Sequence, residues 1–103
     1  MDRIDQLRTF LQQDPDQPFP RYALALELKS RGDPKAAVAE LEELLRRAPD
    51  YLAAYLQLGM LLQGENRFAD AKGVLERGQQ VARKQGNSHT LSELTSALEA
   101  LPV

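Results

Sequence analysis

Asp14-Pro15-Asp16 returns as Ala48-Pro49-Asp50, with the two prolines 34 residues apart. No other feature constrains the fold of this chain as much. At the same offset Leu24-Ala25 aligns with Leu58-Gly59, Leu28 with Leu62, Ala37 with Ala71 and Leu41 with Leu75. Toward the N-terminus, Ile4, Leu7 and Phe10 stand one period before Val38, Leu41 and Leu44. One period therefore runs from residue 4 to about residue 82. A repeat of this length is a supersecondary unit that buries its apolar face only by stacking on its neighbours.

Each period reads as two amphipathic helices joined by a turn. Residues 18–31 carry Tyr22, Leu24, Ala25, Leu26 and Leu28. Gly32-Asp33-Pro34 then breaks the helix, since Gly suits a left-handed cap and Pro the first turn of the next helix. Residues 34–47 place Ala37, Val38, Leu41, Leu44 and Leu45 at spacings of three and four, and Pro49 stops them. Residues 52–64 repeat the first type, Gly64-Glu65-Asn66 makes the turn, and residues 67–84 repeat the second with Phe68, Ala71, Val74, Leu75 and Val81. Ala25 and Gly59 sit mid-helix, where Gly costs about 1 kcal/mol relative to Ala. Small side chains at matched positions, with Ala37 and Ala71 opposite, let paired helices approach closely.

These residues carry a resemblance. Tyr55-x-x-Leu58-Gly59-x-x-Leu62 followed by Ala71-x-x-x-Leu75 resembles the tetratricopeptide signature, with Tyr for its Trp and Leu for two aromatics. The first repeat reads Arg21-x-x-Leu24-Ala25-x-x-Leu28, then Ala37-x-x-x-Leu41 and Pro49. It departs at Arg21, where a large aromatic is usual, and at Ala25, where Gly is commoner. The second departs at Arg83, where Pro is usual, so its helix is expected to run on toward Gln85. The resemblance covers about residues 2–101. It implies an all-α fold, a right-handed α-solenoid of antiparallel helix pairs with about six helices, in a small stand-alone unit of bacterial type. It also implies adaptor work, because such repeats usually hold other proteins.

The expected organisation is a single domain over residues 1–103: a half-repeat at 2–15, repeats at 18–51 and 52–85, and a capping helix at 89–101. The half-repeat matches only a second-type helix, with Ile4, Leu7, Phe10 and Leu11 as its apolar face. Gly86-Asn87 reads as a two-residue insertion that ends the long helix. Beyond it Leu91, Leu94 and Leu98 fall where Tyr55, Leu58 and Leu62 stood. Thr90-x-x-Glu93 is a candidate capping box, with Ser88 as an alternative start. The opposite side of this helix, His89, Ser92, Glu93, Ser96 and Glu99, suits the polar outer face that ends a stack.

Composition removes most chemistry. There is no cysteine, which excludes disulfides and thiolate metal sites, and the single histidine, His89, makes no zinc site alone. No catalytic residue, metal site or cofactor is expected. His89, between Ser88 and Thr90, reads as a solvated residue of the cap region. Glu40, Glu42 and Glu43 with Arg46 and Arg47 read as a solvated face with helical pairing. No Gly-rich loop ends in Lys-Ser/Thr. A net charge of −2 with both signs interspersed argues against a nucleic-acid partner. No apolar run approaches the roughly 20 residues that cross a bilayer, so no membrane association is expected. Met-Asp-Arg-Ile-Asp-Gln lacks the basic-then-apolar pattern of a secretory signal, so the expected location is the cytoplasm unless the chain is a fragment.

What remains is a surface for a protein or peptide. In stacked repeats the first helix of each repeat lines a concave face. By spacing, Phe19, Tyr22, Leu26 and Lys29 on one helix and Leu56, Met60 and Gln63 on the next point into it, with His89 on the cap; Ala53, Ser92, Ser96 and Glu99 share their stripes. Tyr22, Leu26, Leu56 and Met60 would form an apolar centre. Family members that grip acidic chaperone C-termini use Lys and Asn side chains on this surface, and the matching places here carry Tyr22, Leu26, Gln57 and Met60. An apolar groove suits the hydrophobic side of a helix instead, with Met60 able to adapt its shape. Two other uses of the same residues stay open: packing between neighbouring helices, and self-association into a homodimer.

Overall fold

Short capping side chains or prolines mark the starts of four of the six helices. In the computed structural model, which describes residues 2–102, Asp2 caps α1 (Arg3–Gln13) by accepting from the Ile4 amide at 2.9 Å. Pro18 opens α2 (Pro18–Ser30) and Pro34 opens α3 (Pro34–Arg47), both at first-turn positions where a missing N–H costs nothing. The Asp33 carboxylate accepts from the Ala36 amide at 3.2 Å and caps α3. Then follow α4 (Leu52–Gly64), α5 (Phe68–Gln85) and α6 (Ser88–Glu99). No strand occurs among the described residues.

The turns use the left-handed region where the sequence supplies residues that tolerate it. Gly32 has φ +81°, and the Asp33 amide donates back to the Leu28 carbonyl at 2.9 Å. In the second hairpin Gly64 still belongs to α4, and Asn66 takes the left-handed position at φ +61°. Gly86, φ +67°, ends α5, with the Asn87 amide donating to the Ala82 carbonyl at 2.9 Å. α5 thus runs to Gln85, as the absence of Pro at position 83 leads one to expect. The start of α6 differs from expectation. Asn87 is the cap, its side chain accepting from the Thr90 amide at 2.9 Å. Thr90 lies inside the first turn, and Glu93 faces His89 rather than closing a capping box.

The helices divide into two compact units, residues 1–51 and 52–103. In the first, α2 packs against both α1 and α3. Its core is Leu11, Leu24, Ala25, Leu28, Ala37, Val38, Leu41, Leu44 and Leu45. Each fully buried Leu stabilises the fold by about 1.5–3 kcal/mol. Arg21, the departure from the aromatic usual in its place, bridges three segments. Its Nη1 donates to Glu40 Oε1 of α3 at 2.7 Å and its Nη2 to the Pro15 carbonyl at 3.1 Å. In the second unit α4, α5 and α6 all pack on one another.

Two glycines set the spacing of this second unit. A Cβ on Gly59 would lie 2.4 Å from Leu75 Cδ2, so α4 and α5 meet where the matched small positions predict. A Cβ on Gly78 would lie 2.7 Å from Tyr55 Cβ and 3.0 Å from Leu94 Cδ2. Gly78 thus admits both α4 and α6 to the same stretch of α5. Leu94 is the one fully buried leucine of α6; Leu91, Leu98 and Leu101 are half-buried.

Candidate functional site

α4 carries no charged residue, and most of it is buried: Leu52, Ala54, Tyr55, Leu58, Gly59, Leu61 and Leu62. Its remaining residues, Ala53, Leu56, Gln57, Met60, Gln63 and Gly64, are half-buried or exposed, and Ala53, Leu56, Met60 and Gln63 among them fall at helical spacing. Met60 is 47% exposed, and it is the one large apolar side chain of the second unit's described residues that is so. α6 lays a second stripe alongside, His89, Ser92, Glu93, Ser96 and Ala97, which its C-cap residue Ala100 extends. Together Leu56, Met60 and Gln63 with these residues wall one open trough of about 490 Å³. A second hollow of about 580 Å³ continues from it, sharing Met60, Gln63 and Ala100 and reaching Asn66, Phe68 and Pro102.

Leu56, Met60, Ala97 and Ala100 give the trough apolar lining, and Gln63, Ser92 and Ser96 give it hydrogen-bonding groups. His89 Nε2 stands 3.6 Å from Glu93 Oε1, one turn on along α6, with the His89 side chain 87% exposed. No group here is held in the enclosed, partnered setting that general acid or base work uses. Among the described residues no three His, Cys, Asp or Glu side chains gather as a metal site. No described helix is long and apolar enough to cross a membrane.

Four residues singled out from the sequence, Leu56, Met60, Gln63 and His89, line this trough. The other four lie on α2 in the first unit. Phe19 is 67% exposed and Lys29 is exposed, while Tyr22 and Leu26 are half-buried. Tyr22 has an aromatic partner, its ring centroid 5.4 Å from that of Tyr51 at a 51° tilt. Burial, with Tyr22 alongside, pushes the Tyr51 hydroxyl above its ordinary pKa. Glu99, expected in the stripe of the capping helix, instead lines a third hollow with Lys72, Leu98 and Leu101, which shares Phe68 and Pro102 with the second. Glu93, Ala97 and Ala100 take up the α6 wall. Their signal was in the sequence: they stand four, eight and eleven residues after His89, close to the 3.6-residue period.

Comparison with known proteins agrees with this architecture. A family model described as tetratricopeptide repeat matches residues 28–95. The crystal structure of a tetratricopeptide repeat domain protein from Salinibacter ruber is 40% identical. It aligns over 81% of this chain and 92% of its own length, with a TM-score of 0.77. The solution structure of a Bordetella parapertussis protein is 27% identical, with 96% and 86% of the two chains covered and a TM-score of 0.80. The TPR2B domain of yeast Sti1, solved as a complex with pHsp70, shares the fold alone: 14% identity and a TM-score of 0.86 over 93% of this chain and 77% of that one. No curated protein matches the chain.

Proposed function

We propose that this chain, which belongs to the tetratricopeptide repeat family, works without catalysis by holding a segment of a partner protein in the trough between α4 and α6. Tetratricopeptide repeats as a class mediate contacts between proteins, and this is the local form we assign to that role. One observation carries it: Met60 is 47% exposed on an uncharged helix and faces small and hydrogen-bonding residues of α6 across open space. A concave hollow lined by Leu56, Met60 and Ala97 together with hydrogen-bonding side chains has the make-up of a binding cleft.

The trough runs along α4 from Leu56 to Gln63, roughly 10 Å at 1.5 Å per residue. That length fits about two turns of a partner helix, presenting apolar residues three or four apart. The Ser and Gln side chains would satisfy polar groups at the edges of such a segment. Phe19 and Lys29, exposed on α2 of the first unit, belong to this reading as further contact candidates on their own unit. The expected place of work is the cytoplasm.

The test uses a fluorescent amphipathic peptide of about 16 residues with one Leu/Met face, long enough for marginal helicity of its own. Binding should shift the NMR signals of Leu56, Met60, Gln63, Ser92 and Ser96 and spare exposed residues of α3. Leu56→Glu with Met60→Glu should weaken it about tenfold or more, since burying either side chain is worth up to about 1.5–3 kcal/mol. Helicity by circular dichroism should hold, because neither side chain belongs to the buried core. Unchanged affinity in the double variant would remove the trough as the site. Sedimentation of the unliganded chain separates this reading from homodimer formation through the same face.

A further inference from the structure

The charges of the second unit are partitioned by helix. Its lysines and arginines, Arg67, Lys72, Arg77, Arg83 and Lys84, all lie on α5 or in the turn before it. α4 has none, and α6 has none. The trough walled by Leu56, Met60, Gln63 and α6 has no Lys or Arg among its lining residues, and its one acidic side chain is Glu93; Lys72 and Glu99 line the hollow beyond Phe68 and Pro102. The Glu93 carboxylate is 47% exposed, and its contact with His89 is long at 3.6 Å. It is accessible to a donor brought in by a bound molecule.

We infer that the trough selects, among apolar segments, those whose stripe is edged by Lys or Arg, and that it disfavours segments edged or terminated by carboxylates. This deepens the binding role proposed above and rests on it. The physical ground is complementarity. A cationic group over Ser92, Ser96 and Gln63 meets hydroxyl and amide groups that serve cations and carboxylates alike, so the discrimination rests on the Glu93 carboxylate beside them. An acidic group in the same place meets that carboxylate at close range, with no Lys or Arg among the trough's lining residues to offset the repulsion. The contact is solvent-exposed, so its effect is modest: attraction or repulsion each changes affinity by about 1.5- to 5-fold.

The experiment compares two peptides of about 16 residues with the same Leu/Met face. One carries Lys at the stripe borders and the other Glu. Affinities by fluorescence anisotropy are measured for the full chain, for Glu93→Gln and for Glu93→Lys, at low and at raised salt. The Lys-edged peptide should bind the wild-type chain about 3- to 10-fold more tightly at low salt, with the gap narrowing as salt shortens the screening length from about 10 Å to a few Å. Glu93→Gln should shrink the gap, and Glu93→Lys should reverse it. Equal affinity for the two peptides, a tighter acidic peptide, or a gap that Glu93→Gln leaves intact would each overturn charge selection while the trough survives as a binding site. If neither peptide binds, the trough reading falls and this inference with it. If the chain proves to self-associate and the peptides compete with that association, the occupant is a second copy, and the inference is likewise overturned.

Discussion

Replacing Gly78 with Ala tests how the second unit is packed, because helix propensity and packing pull in opposite directions. The new Cβ would lie 2.7 Å from Tyr55 Cβ and 3.0 Å from Leu94 Cδ2. The first of these atoms is fixed to the α4 backbone and cannot swing away, so α4 and α5 must separate. Such overpacking costs up to about 3 kcal/mol, and the gain in helix propensity returns about 1 kcal/mol. The net loss is up to about 2 kcal/mol, which for a domain of this size lowers the melting temperature by up to about 8–16 °C. Gly73 supplies the control on the same helix. It is exposed, and a Cβ there meets nothing within 4 Å. Gly73→Ala should therefore gain about 1 kcal/mol and raise the melting temperature by about 4–8 °C. Thermal melts followed by circular dichroism read both variants. If Gly78→Ala melts no lower than the wild-type chain, or if both variants shift in the same direction, the close approach at Gly78 is not what the reasoning takes it to be.

Three further changes check other parts of the argument. Asn87→Ala should cost about 1 kcal/mol through loss of the cap on Thr90, whereas Thr90→Ala should keep the cap; hydrogen exchange at the Thr90 amide distinguishes the two. Leu94→Ala should destabilise the unit by about 2–5 kcal/mol, seen as a lower urea midpoint, and a loss under 1 kcal/mol would contradict its complete burial. The Glu43 carboxyl is held down at about 2 by hydrogen bonds from Arg46 and Arg47, against an ordinary value of 4.5. Because the folded value is the lower one, this stabilisation is present above pH 4.5 and fades as the pH falls toward 2. Melts of the wild-type chain and Glu43→Gln should differ near neutral pH and converge across that window. A constant difference would assign the effect to something other than this ionisation.

Helix existence and extent were legible because punctuation and period agree. Gly32, Pro34 and Pro49 fall where the 34-residue offset requires a turn or a stop, so local and long-range signals reinforce each other. The start of α6 was not, since Asn87, Ser88 and Thr90 can all cap. The choice is made by Gly86, whose left-handed conformation ends α5 and leaves Asn87 as the next residue in line. The trough was legible on α4, where the exposed stripe follows the helical period. On α6 the same rule reaches Ala97 and Ala100 only once small residues are read as open wall rather than filler. On α2, Tyr22 was harder to place, because its partner Tyr51 lies outside any helix and no period points to it.

Gly78 and the insertion at Gly86-Asn87 belong together. One period earlier the place of Gly78 is held by Leu44, a fully buried side chain. In the second unit that side chain is gone from α5, and the space beside residue 78 is taken by Tyr55 of α4 and Leu94 of α6. Leu94 stands in the place matched to Leu58, two residues late in the period, and with glycine at 78 its Cδ2 comes within 3.0 Å of where a Cβ would stand. Self-comparison shows the insertion as a two-residue slip after Gln85 but passes over Gly78, which leaves the register intact. The signal for Gly78 is the pairing of the two: a large core position turned to glycine on one helix, followed by a shift of register before the next. Without Gly78, α6 could not seat Leu94 so close to α5, and the α6 wall that faces Leu56 and Met60 would have to move with it.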